Sequence, residues 1–167
     1  YLGVLTIYQL NWMRLTIIST PIGFLGSGRG GGVELTLNSL VSGLLKQNHF
    51  INVVAPFNSK LSESCRSAKL FTVKGDEPNS WQHQNYHTKI KFSESSIINI
   101  MLEKALSLKK DCDAIINLSY DWLPIFKTLD INFPILHLIS MGDESLEISN
   151  VISVSYTHLT LPTTSAV

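Results

Sequence analysis

The sequence predicts an α/β protein: a Rossmann-like parallel sheet with helices on both faces. Two observations carry this prediction. Short apolar, β-branched runs alternate along the chain with segments whose apolar residues recur every three or four positions. A glycine-rich loop joins the first such run to the first such segment. Strands that are apolar throughout are typical of parallel sheets, because helices cover both of their faces.

Residues 14–56 form the first βαβ unit. Residues 14–20 (RLTIIST) are apolar and end at a proline, as do residues 50–56 (FINVVAP). Between them, apolar residues recur at helical spacing at Val33, Leu37, Leu40, Val41, Leu44 and Leu45. Strand, glycine loop, helix and strand together predict a right-handed crossover.

The rest of the body continues this alternation less regularly. Residues 74–91 are polar and predict a loop, and an apolar helical stripe begins at residue 93. The further strands predicted are residues 69–73, 113–118 and 134–139, with another helix over residues 121–129.

The charges balance, with 13 Lys and Arg against 13 Asp and Glu, and this argues against a nucleic-acid partner. No apolar run reaches the roughly 20 residues that a membrane-spanning helix needs, so we expect no transmembrane segment. Cys65 and Cys112 are far apart and form no C-x-x-C motif. Reduced thiols in a cytoplasmic protein explain that pattern best.

All charged residues lie between Arg14 and Glu147, so both ends of the chain are uncharged. We interpret residues 1–12 as upstream translation, with Met13 as the start. Residues 154–167 (VSYTHLTLPTTSAV) resemble a translated sequencing adapter. On this interpretation residues 13–153 are a truncated domain, and we expect the fragment itself to be inactive.

Residues 26–32 (GSGRGGG) contain five of the ten glycines. A glycine loop between a first strand and a first helix is typical of phosphate contact, although a tight turn without a ligand is the alternative. Gly26, Gly28 and Gly31 satisfy G-x-G-x-x-G, the dinucleotide pattern. The second strand ends in Ala-Pro-Phe, without the acid that holds a ribose, so the dinucleotide interpretation is disfavoured.

Four short motifs together resemble a known family. They are S-T-P at residues 19–21, G-G-G-V-E at residues 30–34, V-V-A-P at residues 53–56 and D-W-L-P at residues 121–124. This set resembles the N-terminal half of family 4 glycosyltransferases, which have the GT-B fold. Three longer runs, at residues 19–37, 120–124 and 137–142, are similar to the cyanobacterial-type members that glucosylate tetrahydrobiopterin. The resemblance covers residues 13–152.

The resemblance implies a retaining transfer of a sugar from a nucleotide-sugar to a small acceptor hydroxyl. In the subgroup named, the donor is UDP-glucose and the acceptor is a pterin. Gly30, Gly31 and Gly32 would face the donor diphosphate, and Glu34, Asp121, Trp122 and Met141 are the acceptor or cleft candidates. A missing C-terminal domain would hold most of the donor. The resemblance implies neither a metal nor a cofactor.

The chain departs from the family where a histidine is usual near the reacting sugar, because Met141-Gly142 stands there. His137 is the one catalytic candidate, although a core histidine bonded to a backbone carbonyl is favoured. Glu34 fits a helix cap and a ligand contact equally well. For Asp121 a helix N-cap is favoured over acceptor binding, and for Trp122 packing is favoured.

Two other function classes remain open at this point. One is a Rossmann-type nucleotide-binding module, linked to NAD(P) or regulatory, and the other is a stand-alone non-catalytic domain. We also expect the substitution Gly31→Val to crowd a bound diphosphate without disturbing the fold.

Overall fold

Five strands form a single sheet whose pairings are all parallel, in the order β3-β2-β1-β4-β5. The computed structural model describes residues 12–77 and 93–139, together with Asn150 and Ser153. In chain order the elements are β1 Arg14–Ile18, α1 Gly32–Lys46, β2 Phe50–Pro56, β3 Lys69–Val73, α2 Ile97–Ser107, β4 Ala114–Asn117, α3 Trp122–Lys127 and β5 Ile135–His137. The predicted fold class is confirmed.

The sheet has a point at which the order of its strands reverses. From β1 the chain moves outward to β2 and β3, then crosses back to place β4 on the other side of β1. Ile17 of β1 therefore pairs with Val53 on one side and with Ile116 on the other. Such a reversal leaves a crevice at the carboxyl ends of the two strands that flank it.

Helices cover both faces, as the apolar strands require. Leu37 and Val41 of α1 pack into one core with Ile17 and Val53 of the sheet. The other face carries α2 and α3 over residues that include Ile18, Val54 and Ile115. Consecutive strand residues point to opposite faces, so each central strand contributes to both cores.

Helices α2 and α3 are shorter than predicted, and in each of them a side-chain hydroxyl bonds to the backbone near one end. Ser96 accepts a hydrogen bond from the Asn99 N–H at 3.4 Å, so α2 begins at Ile97 rather than near residue 93. The Thr128 hydroxyl donates to the Pro124 carbonyl at 2.6 Å, at the end of α3. By contrast, the predicted bounds of β2 and β3 match the structure residue for residue.

Some predictions fall outside the described residues. Met141, the proposed upstream segment before Trp12 and the adapter-like tail are among them. In the part of the chain that is described, no helix combines the length and the apolar character needed to cross a bilayer.

Candidate functional site

Two loops meet at the carboxyl edge of the sheet where the strand order reverses. One follows β1 and contains Ser19, Thr20 and the glycine loop (residues 26–32). The other is the post-β4 turn (residues 118–121). The Leu118 N–H donates to the Ile18 carbonyl at 3.0 Å, so the two strands remain paired up to this edge. Ligands of doubly wound sheets bind at this position, which makes it the candidate site.

The glycine loop is held together by one carboxylate, that of Glu34. The Gly26 N–H donates to Glu34 Oε2 at 2.9 Å, and the Gly30 N–H donates to Oε1 at 3.0 Å. The carboxylate belongs to the first turn of α1, yet it reaches back into the loop and is only 8% exposed as a residue. Glu34 thus acts neither as a cap of its own first turn nor as an open ligand contact; its carboxylate organises the loop.

The glycines of the loop differ in the space around them and in their backbone conformation. A Cβ on Gly30 would lie 2.8 Å from both Thr20 Cγ2 and Glu34 Cγ, so this position has no room for a side chain. Gly31 has φ 52° and ψ −128°, a conformation that side chains rarely adopt. The expectation that Gly31→Val leaves the fold undisturbed is therefore wrong. At Gly32 a Cβ would meet nothing within 4 Å.

Some of the backbone amides at the start of α1 donate hydrogen bonds to carbonyls of the loop. The Gly31 N–H donates to the Gly28 carbonyl at 3.3 Å, and the Val33 N–H donates to the Gly30 carbonyl at 3.2 Å. For the Gly32 N–H, no acceptor lies among the residues that the structure describes. Of the three glycines predicted to face a diphosphate, Gly32 therefore has the most accessible donor.

The post-β4 turn presents a buried carboxylate. Tyr120 adopts φ 43°, and Asp121 then caps α3 by accepting the Leu123 N–H at 2.8 Å, which confirms the predicted N-cap. Burial raises the pKa of the Asp121 carboxyl, and the hydrogen bond from Leu123 opposes that rise. Trp122 is half-buried and packs against the core beneath α2, with its ring 6.0 Å from that of Phe126.

His137 lies behind this turn, and the prediction of a backbone carbonyl partner is wrong. Its Nδ1 lies 3.1 Å from Asn117 Nδ2, and its Nε2 lies 3.1 Å from Thr128 Oγ1. Burial lowers the pKa of His137. Both ring nitrogens are thus engaged by side chains, which leaves the imidazole no free nitrogen to act as a catalytic base.

Two further polar side chains belong to this edge. The Ser119 hydroxyl is buried without a hydrogen-bond partner in the described structure. Arg29 of the glycine loop lies at the surface and pairs with Glu77 at 3.1 Å, with both side chains about half exposed. No group of three or more His, Cys, Asp or Glu within the described ranges is placed to hold a metal ion.

Sequence reasoning missed Asn117 and Thr128, which tie β4, β5 and α3 together. A signal for Asn117 exists, because it is the one polar residue in the predicted strand interior at residues 114–118. A buried amide needs partners of its own, so such a residue indicates a nearby polar contact. Thr128 carries no comparable signal, since a threonine near the end of a helix is ordinary.

The fold and this edge define the class of protein: a Rossmann-like parallel α/β protein with a glycine loop at its switch point. A scan against models of protein families finds no match, and neither does a search of curated proteins. The glycosyltransferase assignment stays a prediction.

Proposed function

We propose that this chain is the acceptor-binding N-terminal half of a retaining glycosyltransferase, which transfers a sugar from a nucleotide-sugar to a small acceptor hydroxyl. One observation carries the proposal. Two of the four motifs that resemble the family, G-G-G-V-E and D-W-L-P, follow the two strands that flank the switch point. Motifs far apart in the sequence thereby come to one edge, where such folds bind ligands.

The donor diphosphate is proposed to meet the start of α1. A 15-residue helix offers partial positive charge at its first turn, and Gly32 leaves room for a phosphate to approach the backbone. Preorganised N–H donors stabilise the charge that builds on a departing diphosphate. Gly30 has a different part in this proposal: its amide fixes Glu34, so that the loop is already ordered before the donor arrives.

The acceptor is proposed to lie beside the post-β4 turn. Asp121 and the half-buried Trp122 stand there at the start of α3, and a flat pterin ring is the acceptor that the resemblance suggests. The C-terminal domain of the complete protein would supply most of the donor site. The proposal requires neither metal nor cofactor, and it places the reaction in the cytoplasm.

A Rossmann-type nucleotide-binding module is the second candidate, and the strand order favours it. The order β3-β2-β1-β4-β5 with a glycine loop after β1 is also that of dinucleotide-binding domains. Against it, β2 ends at Pro56 and continues to Phe57, and no carboxylate stands there for the ribose hydroxyls. The glycosyltransferase proposal is therefore preferred.

A matched pair of glycine substitutions in the complete protein tests the donor role. Gly32→Val places a side chain where the diphosphate is proposed to lie, whereas Gly43→Val places the same side chain farther along α1, also in open space. Transfer from UDP-glucose to tetrahydrobiopterin should fall by about tenfold or more in the first variant and little in the second. Equal activities in the two variants would remove the phosphate role from this loop.

Ligand binding separates the two candidate functions. We expect the complete protein to bind UDP-glucose, and to bind NAD(H) and NADP(H) no better than a non-specific nucleotide, as measured by calorimetry. Tight NAD(P) binding without UDP-glucose binding would reverse the preference.

A further inference from the structure

Three side chains form a chain of hydrogen bonds behind the post-β4 turn; Asn117, His137 and Thr128 are hereafter the His137 circuit. Asn117 Oδ1 accepts the Ser119 N–H at 3.1 Å, while Asn117 Nδ2 faces His137 Nδ1. On the other side of the imidazole, Thr128 Oγ1 faces Nε2 and also lies 2.6 Å from the Pro124 carbonyl. The circuit thus joins β4, the turn, α3 and β5.

The two ends of the circuit determine where its protons lie. The Ser119 N–H requires an oxygen acceptor, so the amide of Asn117 turns its NH₂ toward His137 Nδ1, which must then accept. The Pro124 carbonyl only accepts, so the Thr128 hydroxyl donates to it and accepts from His137 Nε2–H. His137 is therefore neutral, with its proton on Nε2.

We propose that the His137 circuit is a proton-sensitive positioning device, in which neutral His137 holds the turn that carries Asp121. An imidazolium has N–H donors at both nitrogens, so its Nδ1–H would oppose the NH₂ of Asn117. Rotating the Asn117 amide would only move the conflict to the Ser119 N–H. Protonation of His137 costs one hydrogen bond in either arrangement and releases the turn.

Among the residues that the structure describes, few ionisable groups lie on the elements around His137. Neither β4 nor β5 has another ionisable side chain. On the neighbouring elements, Asp121 is bonded to the Leu123 N–H, and Lys127 of α3 donates to Asn99 Oδ1 at 2.6 Å. Burial alone lowers the pKa of His137 from its ordinary value of 6.5, so the circuit is closed at neutral pH and opens in acid.

The substitution His137→Gln separates the effect of protonating His137 from the effect of losing its hydrogen bonds. A glutamine amide supplies one acceptor and one donor, as neutral imidazole does, but it does not titrate; His137→Phe supplies neither. Hydrogen exchange of the Ser119 amide, corrected for intrinsic rates, is measured at about pH 7.5 and about pH 5. The wild type should lose about tenfold protection in acid, His137→Gln should lose none, and His137→Phe should show the reduced protection at both values, because Asn117 remains but is no longer held.

The Leu118 amide is the internal control, because it donates to the Ile18 carbonyl within the sheet and should not respond. Nitrogen NMR of the wild-type imidazole tests the assignment without any variant. A neutral Nε2–H tautomer at pH 7 supports the circuit. An Nδ1–H tautomer, or Ser119 protection that is independent of pH, overturns it.

The consequence for binding rests on the proposed function. In the complete protein, affinity for tetrahydrobiopterin should fall about tenfold more in acid for the wild type than for His137→Gln, because Asp121, whose pKa burial raises, titrates in both proteins. Acceptor binding that changes neither with pH nor in His137→Phe would overturn the positioning role of His137. If tetrahydrobiopterin does not bind at any pH while Ser119 behaves as described, the circuit is supported and the proposed acceptor fails.

Discussion

The glycine loop and the post-β4 turn lie at the same edge of the sheet but are ordered by opposite means. The loop consists mostly of glycine, and the carboxylate of Glu34 accepts hydrogen bonds from two of its backbone amides. The turn is buried, and the polar side chains of the His137 circuit together with the Asp121 cap hold it. A loop ordered through backbone leaves space for a ligand, whereas a turn ordered through side chains fixes a surface for it.

The largest effect should come from the glycine loop, where Gly30 has no room for a side chain. Gly30→Ala forces a Cβ to 2.8 Å from Thr20 Cγ2 and Glu34 Cγ, so unfolding free energy should fall by about 2–3 kcal/mol. Gly32→Ala is the control, since open space at that position predicts a change below about 1 kcal/mol. Urea denaturation measures both; equal losses would contradict the steric account of Gly30.

The next effect tests whether one carboxylate orders the loop. Glu34→Ala leaves the Gly26 and Gly30 amides without their acceptor and should cost about 2 kcal/mol. Glu34→Gln should cost less, because its amide oxygen still accepts one of the two bonds. Exchange rates of the Gly26 and Gly30 amides should rise in the same order, and unchanged rates in Glu34→Ala would show that the loop is ordered otherwise.

In the turn, Asp121 should show a smaller effect with a pH signature. Asp121→Ala loses the N-cap of α3 and should cost about 1 kcal/mol, whereas Asp121→Asn keeps the cap. Burial raises the pKa of Asp121, so the folded state binds its proton more tightly than the unfolded state does. The free energy of unfolding of the wild type should therefore fall as the pH rises from 3.8, the ordinary pKa of an aspartate, through the raised pKa of Asp121.

Asp121→Asn should lack this decline, because its side chain does not titrate. Thermal unfolding of both proteins across that pH range measures the difference. Parallel profiles for Asp121→Asn and the wild type would rule out Asp121 as the source of the slope.

The smallest effect concerns the hydroxyl that the turn leaves unsatisfied. Ser119→Ala removes a buried donor without a partner and should stabilise the protein by about 0.5–1 kcal/mol. Ser19→Ala is the matched change after β1, where the hydroxyl donates to the Thr20 carbonyl at 3.2 Å, and it should cost about 1 kcal/mol. Destabilisation by Ser119→Ala would mean that this hydroxyl has a partner.

Much of the fold could be predicted because each apolar run is long enough to define one element. FINVVAP and KLFTV give β2 and β3 with their bounds. The ends of α2 and α3 could not be predicted as well, because they depend on local hydrogen bonds such as the Ser96 cap of α2 and the Thr128 contact at the end of α3. Such bonds depend on local geometry rather than on periodicity.

The site divides in the same way. The glycine loop and the cap at Asp121 are local features, and the sequence predicted the loop's position and the cap. The partners of His137 come from 20 and 9 positions away, so no local pattern indicates them. The same holds for Gly30, whose lack of space is due to Thr20 as well as to Glu34.

The sequence by itself determined a parallel α/β fold, a glycine loop between β1 and α1, and a motif set that resembles one family of glycosyltransferases. Only the tertiary structure decided that the loop and the post-β4 turn share one edge, that Glu34 occupies the loop amides and that Asn117 and Thr128 are the partners of His137. The physical reason is the distance along the chain over which each interaction acts. Periodicity and glycine content act along the chain, whereas steric exclusion and hydrogen-bond partners depend on which strands become neighbours.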